Sequence, residues 1–277
     1  MQQLQRAQVK RRRRTRTYPV IIVLLVIAGV LAFVTGSSNH SKKVSTSSST
    51  TTAATTVTTT PATATTVGAT APTAPPVTGA GKITGTTPCP SVTGSSAHII
   101  SFAKAPPNCL VAGKTYTGTF ETNLGNVVVT FDTTKTPETA NNFIVLSLYH
   151  YFDSTALFRT DTSIGIIQGG SPHTQSANDP GPGYTIKDEG SGYTYAAGDL
   201  VMARTSAANS AGAQFFFCVN SACSQLNGQG TYVVFAHVTS GLNVLQKILA
   251  SNVAENNGLG GAPGQLVTIK TITITAS

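Results

Sequence analysis

The chain of 277 residues carries a formal charge of +8, is 40% hydrophobic and 10% charged, and has no tryptophan. The charge is unevenly placed: residues 1–87 hold ten Lys/Arg and no Asp/Glu, whereas residues 88–277 hold eight Lys/Arg against ten Asp/Glu. A near-neutral C-terminal part with scattered basic residues lacks the stripe that phosphate contacts need, which excludes nucleic acid as an expected partner.

In chain order, residues 1–17 form a basic segment, "QRAQVKRRRRTRT" at its centre, and residues 18–36 follow with an uncharged apolar run from Tyr18 to Val34. That run is about the minimum length that spans a hydrocarbon core, and Lys/Arg stay on the cytoplasmic side. The expectation is a single-pass cell-membrane protein, anchored by its N-terminal helix, with the N-terminus cytoplasmic and the remainder extracytoplasmic. A cleaved signal peptide is the alternative, but "AFVTGSS" offers a poor small-x-small cleavage site and no cysteine for lipidation. Residues 37–87 are mostly Ser, Thr, Ala, Pro and Gly. Such a composition cannot bury enough apolar surface to offset ordering entropy, so it reads as a disordered linker reaching on the order of 40 Å. Residues 88–277 are the expected folded domain.

The four cysteines fall in two sequence-local pairs, Cys89 with Cys109 and Cys218 with Cys223. Export permits disulfides, and an even count suits two bridges, although four cysteines allow three pairings. A zinc site is the rival, but neither pair has knuckle spacing and no histidine follows at finger spacing.

"KTYTGTFETNLGNVVVTFD" reads as a β-hairpin turning near Gly125. In "TPETANNFIVLSLYHYF", Thr136 can cap, Pro137 suits the first helical position, and Ala140, Phe143, Ile144, Ser147, Leu148 and Tyr151 share a helical face. Short β-like pieces follow: "TALFRT", "IGIIQGG", "DLVMAR", "QFFFCVN" and "YVVFAHV". A second helix, "GLNVLQKILAS", precedes a closing strand, "QLVTIKTITIT", which composition marks better than alternation does. Many short strands with two helices predict a mainly β domain, an antiparallel barrel or sandwich.

Chemistry-bearing patterns are sparse. There is no G-x-S-x-G elbow, and His98, His150, His173 and His237 stand in unrelated contexts that read as surface or packing histidines. Gly258–Gly261 follows a helix and reads as a turn. Asp188 and Glu189 read as solvated carboxylates in a polar loop. No metal or cofactor is expected. From Pro88 onward only two arginines occur, Arg159 and Arg204, and Arg159 stands among apolar neighbours in "LFRTDTSIGIIQGGSP". A guanidinium there either snorkels or faces a group that needs donors.

Arg159, Gln168, "AGAQFFF" (211–217) and "LNGQGTYVVF" (226–235), in this order between the hairpin and the last strand, resemble the cyclophilin family of peptidyl-prolyl isomerases. The resemblance covers about residues 116–275. It implies a closed eight-stranded antiparallel barrel capped by two α-helices, with a groove on its outer face for proline-containing polypeptides. It further implies that Arg159 is the catalytic arginine and Gln168 the glutamine that orients substrate backbone. Phe216 would floor the proline pocket with Leu226, Ile166 and Tyr232 about it, while Gln214 would line the groove and Met202 and Ala203 would lie on the strand beside the groove, all as substrate-binding residues.

Two departures stand out. Counted rigidly back from Gln168, Thr160 falls in the arginine's place; one extra residue absorbed in the Thr160–Ser163 loop restores Arg159. The second register is preferred because Leu157 and Arg159 then alternate with Phe158. The pocket aromatic becomes Ile164 and the pocket histidine Tyr232, while Gln225 lies near the tryptophan that many members use to bind cyclosporin. The expected function is a monomeric peptidyl-prolyl cis-trans isomerase assisting exported or cell-envelope proteins, the alternative a non-catalytic module that binds proline-containing segments.

Overall fold

The computed structural model describes residues 71–255 and 257–277. The expected basic segment and membrane anchor, and the linker up to residue 70, lie outside the described residues. No helix among the described residues is long and apolar enough to cross a membrane.

Packed structure begins upstream of Pro88. Strands β1 (Gly81–Ile83) and β2 (Ile99–Phe102) form a small parallel sheet. Next come β3 (Tyr116–Thr122), β4 (Gly125–Phe131), α1 (Pro137–Leu148), β5 (Thr155–Ala156), β6 (Arg159–Asp161) and β7 (Ile166–Gly169). Then follow β8 (Asp199–Met202), β9 (Phe215–Cys218), a 3-10 helix (Ser221–Gly228) and β10 (Val234–Ser240). The chain closes with α2 (Leu242–Ala250), β11 (Asn252–Ala254), β12 (Gly261–Pro263) and β13 (Thr268–Ala276).

The main sheet has eleven strands in the order β11-β12-β6-β7-β9-β8-β10-β4-β3-β13-β5, all neighbours antiparallel. The expectation of a closed eight-stranded barrel is corrected on two counts. One continuous stretch, Thr155 to Asp161, supplies both β5 at one end of the order and β6 near the other, so the sheet curls back while the strand itself is broken. The hairpin β11–β12 adds two strands beyond β6, where the expected barrel has none.

The break sits at Leu157–Phe158 and changes which face the side chains serve. Leu157 is buried in the interior core, whereas Arg159, two residues on, pairs with Gln168 on the other face. Simple alternation, the ground on which the Arg159 register was preferred, therefore does not hold, although Arg159 does take the place opposite Gln168. A shift of pairing between Ile269 and Thr271 in β13 acts likewise. It lets Ile269, Ile272 and Ile274 all enter the core, as a bulge reverses the parity of a strand. This is why composition marked that strand better than period did.

Inside the sheet, Phe143 of α1 is the hub of an aromatic cluster, with its ring 4.6 Å from Phe152, 5.1 Å from Phe235 and 5.4 Å from Phe215. The helix is buried on all sides, Thr139 through Leu148, not only on its predicted apolar face. The segment between β1 and β3 and the stretches at Tyr184 and Gly212 meet its polar side chains. Asn141 accepts from the Cys109 N–H and donates to the Pro107 carbonyl, while Asn142 donates to the Gly212 carbonyl and accepts from the Tyr184 hydroxyl. Each buried amide is thus paired, as burial requires.

Thr136 occupies the N-cap position of α1 but makes no side-chain cap bond. Its hydroxyl donates to the Asp132 carbonyl instead. The cap comes from Glu189, whose carboxylate accepts from the Glu138 N–H, the Thr139 N–H and the Thr139 hydroxyl. Glu189 is therefore no solvated loop carboxylate; it satisfies orphan donors at the positive end of a helix. Glu189→Gln is expected to cost about 1–2 kcal/mol, a fall in Tm of about 3–6 °C for a domain of this size. A thermal melt that matches the parent would remove this role.

Candidate active site

Cross-strand pairing sets out the site in one row. Arg159 on β6 faces Gln168 on β7, Gln168 faces Phe216 on β9, Phe216 faces Val201 on β8, and Val201 faces Val234 on β10. Directly paired residues share a face of a sheet, so this row lies opposite the core that holds Ile167, Phe215, Phe217, Leu200 and Met202. The three phenylalanines of "QFFFCVN" divide by alternation, two inward and Phe216 outward.

Of the two glycines after Gln168, Gly170 is sterically required: at φ +95°, a Cβ there would lie 2.6 Å from the Ala213 carbonyl oxygen, whereas one on Gly169 would crowd Leu157 Cδ2 at 2.8 Å and the Ala156 carbonyl oxygen at 3.2 Å. Close packing of β7 against its neighbours thus accounts for the Gln-Gly-Gly sequence.

Around Phe216 a second apolar cluster forms, with Ile166, Val201, Tyr195, Leu226 and the two sulfurs of Cys218 and Cys223, and with Ile164, Ala203, Tyr232 and Val234 at its margin. The predicted residues Phe216, Ile166, Leu226, Tyr232 and Ala203 therefore meet. Met202 does not join them: it lies in the interior core, 1% exposed, because it pairs with inward-facing Phe215. Its contribution to this face is limited to backbone.

The disulfides are Cys89–Cys109 and Cys218–Cys223, the two sequence-local pairs. The second ties β9 beside Phe216 to the 3-10 helix that carries Leu226. Two walls of the apolar cluster are thereby cross-linked. Tyr232 and Phe216 meet edge to face, with centroids 5.6 Å apart, and the Arg204 guanidinium lies over the Tyr232 ring, 5.8 Å from its centroid. Arg204 is held by the carbonyls of Thr231 and Ala207, and its Nε is 3.9 Å from the Asp188 carboxylate. Asp188 also accepts from the Asn209 N–H, so it belongs to this support and not to a solvated loop. Of the two arginines after Pro88, one thus lies in the row and the other against the tyrosine ring.

Arg159 is 7% exposed. Its Nε donates to the Leu259 carbonyl at 2.5 Å, one terminal nitrogen to Gln168 Oε1 at 2.9 Å, and the other to Asp161 Oδ2 at 3.0 Å. Burial lowers the guanidinium from its usual value, while the adjacent Asp161 carboxylate opposes that shift. Asp161 also accepts from the Ser163 N–H and hydroxyl, which pins the loop holding the extra residue. Gln168 in turn donates to Gln214 Oε1 at 2.8 Å, and Gln214 donates to the Ala177 carbonyl at 3.1 Å. A guanidinium has five N–H groups, and three are engaged here, leaving one on each terminal nitrogen. The arrangement is a buried, oriented donor pair beside an apolar cluster. Among the described residues no three metal-ligating side chains converge.

Asp161 and Leu259 were not foreseen. Asp161 had a signal, a carboxylate two residues past Arg159 and so on the same strand face. The Leu259 carbonyl had none, since it approaches from about a hundred residues away in sequence.

The model of the cyclophilin type peptidyl-prolyl cis-trans isomerase family matches residues 117–274, which contain the whole row. The chain belongs to this family. It is 35% identical over 166 residues to peptidyl-prolyl cis-trans isomerase B of Escherichia coli, covering 56% of this chain and 98% of that one. To peptidyl-prolyl cis-trans isomerase B of Bacillus subtilis it is 36% identical over 119 residues, covering 42% and 78%. A solved cyclophilin type isomerase from Cryptosporidium parvum superposes with a TM-score of 0.51 at 26% identity, covering 59% of this chain and 99% of the other. The chain is a cyclophilin-type isomerase, and Tyr232 and Ile164, expected in place of a histidine and an aromatic ring, lie at the margin of the apolar cluster.

Proposed function

We propose that the domain catalyses cis-trans isomerisation of X-Pro bonds in exported or cell-envelope polypeptides, acting as a monomer from an extracytoplasmic position on a membrane tether. The observation that carries the mechanism is the juxtaposition of a buried, oriented guanidinium with an apolar cluster floored by Phe216. Amide resonance sets a rotational barrier of roughly 18–20 kcal/mol. Hydrogen bonding near the prolyl nitrogen favours the twisted, pyramidal amide over the planar one, so a donor fixed in advance stabilises the transition state more than the ground state. In this reading the two uncommitted N–H groups of Arg159 supply that donor. Gln168 and Gln214 align substrate backbone, and Phe216, Ile166, Leu226 and Tyr232 hold the proline ring. Met202 enters only through its strand. Proton transfer and covalent steps are not required.

Two disulfides support the extracytoplasmic position, because such bridges persist in oxidising compartments. The basic segment, apolar run and Ser/Thr-rich linker at residues 1–87 support the tether.

Turnover of a short X-Pro peptide by the whole chain tests the function. Catalysis above the spontaneous rate is expected; peptide binding without it would make the domain a proline-segment binder.

A pH profile adds a second test. Burial raises the Tyr232 phenol, so the residue in the histidine's place stays neutral and kcat/KM is expected to be flat between about pH 6 and 9. An inflection near neutral pH would require another titrating group. Burial also pushes Tyr195, which donates to the Tyr232 carbonyl, up to about 12. The fold thus favours the protonated phenol. That contribution to stability is fully present below the ordinary tyrosine value near 10 and is lost as pH rises from there through 12.

A further inference from the structure

Arg159 borders a concavity apart from the apolar cluster around Phe216. At the β6 end of the row, beyond Arg159 and away from Phe216, lies a cleft of about 410 Å³. It is lined by residues 71–74, by residues 175–178, by the β11–β12 hairpin with its loop at Leu259, and by residues 156–159 and 265–267, Arg159 among them. Its volume falls within the ~300–1,000 Å³ typical of ligand sites. Residues 71–74 belong to no helix or strand and stand upstream of residues 117–274, the span shared with the family. They nevertheless pack onto the domain: Ala71 is 7% exposed, and the Val77 N–H donates to the Pro172 carbonyl. The same linker stretch that would tether the domain thereby forms part of a recess that opens onto the row's arginine.

We propose that this cleft is a subsite for the polypeptide flanking the isomerised proline, taking an extended run of small or polar residues, and that the pre-domain segment 71–74 contributes its specificity. The inference rests on the peptide-isomerase reading above. The cleft continues the line Phe216, Gln168, Arg159 across the strands, so a chain whose proline sits at Phe216 and whose amide lies at Arg159 leads into it. Its lining combines polar side chains, among them Ser176, Asn178, Asn257 and the carboxylate of Glu255, with Ala74, Leu259 and Ala262. That mixture suits the alternating polar backbone and small side chains of an extended peptide. A tetrapeptide is too short to fill both the proline pocket and the cleft.

The test compares a four-residue and a ten-residue X-Pro peptide with the whole chain, its Ala74→Trp variant and its Asn178→Trp variant. These substitutions fill the cleft from two of its lining segments, and both positions retain solvent exposure. Each variant is expected to raise KM for the ten-residue peptide by about tenfold with kcat unchanged, while kcat/KM for the tetrapeptide stays at the parent value. If both peptides are affected equally, or neither is, while the melting temperature matches the parent, the subsite is wrong. Should the parent turn over neither peptide, the isomerase reading fails. Anisotropy of a labelled ten-residue peptide then decides the cleft separately: about tenfold weaker binding by both variants sustains it, and unchanged binding overturns it.

Discussion

Arg159→Ala is expected to lower kcat/KM on a short X-Pro peptide by about 10²–10³-fold, the usual consequence of removing one preorganised transition-state donor. Alanine confounds that result, because it leaves Asp161 buried without its cation. Breaking one side of a buried pair costs about 3–5 kcal/mol, with the low end expected here since Asp161 keeps both bonds from Ser163. Arg159→Lys separates the two effects. An ammonium can remain paired with Asp161 but cannot donate to Leu259, Gln168 and a substrate from one rigid fork. Lysine is therefore expected to restore most of the melting temperature and little of the activity. A lysine variant as active as the parent would mean that the charge, not the oriented donor, matters, and the proposed mechanism would fail.

Phe216→Ala has the second largest expected effect. The ring is 4% exposed and packs against Tyr232, Ile166 and Leu226 beside the Cys218–Cys223 bridge. Truncating a buried Phe costs about 3–5 kcal/mol, and an outward-facing cluster able to relax toward its groove should fall near 3. That corresponds to a fall in Tm of about 6–12 °C for a domain of this size. Losing the floor against which a proline ring rests should also reduce kcat/KM by about 10²-fold. Phe216→Leu tests whether shape or bulk matters: much of the stability should return, with activity well below the parent. Melting curves and kcat/KM for both variants check this. If Phe216→Ala kept parent kcat/KM, the proline pocket would have to lie elsewhere.

Much of the site was legible because its motifs are local. "IIQG" and "FFFC" each lie on a single strand, and pleating alone assigns Phe215 and Phe217 inward and Phe216 outward. Where a strand is irregular, that rule misleads. The break at Leu157–Phe158 put Leu157 in the core and Arg159 on the outer face, and the shifted pairing near Lys270 brought three isoleucines inward. Met202 was drawn to the groove by its place in a motif, yet pairing with Phe215 commits it to the interior. A break or bulge is a property of two strands together, so one strand's text cannot reveal it.

By itself, then, the amino-acid sequence determined the mainly β character of the domain, the placement of both helices, the local pairing of its cysteines as an expectation, and the residue types of the proposed site. Those follow from period, turn chemistry and short spacing, which act within a few residues. Tertiary structure alone decided that Glu189 caps α1 across fifty residues, that Asp161 and the Leu259 carbonyl orient Arg159, and that residues 71–74 line a cleft beside it. Each is a pairing of groups far apart in the chain. Such a partner is chosen by the burial and hydrogen-bonding demand of the folded interior, and no local pattern records it.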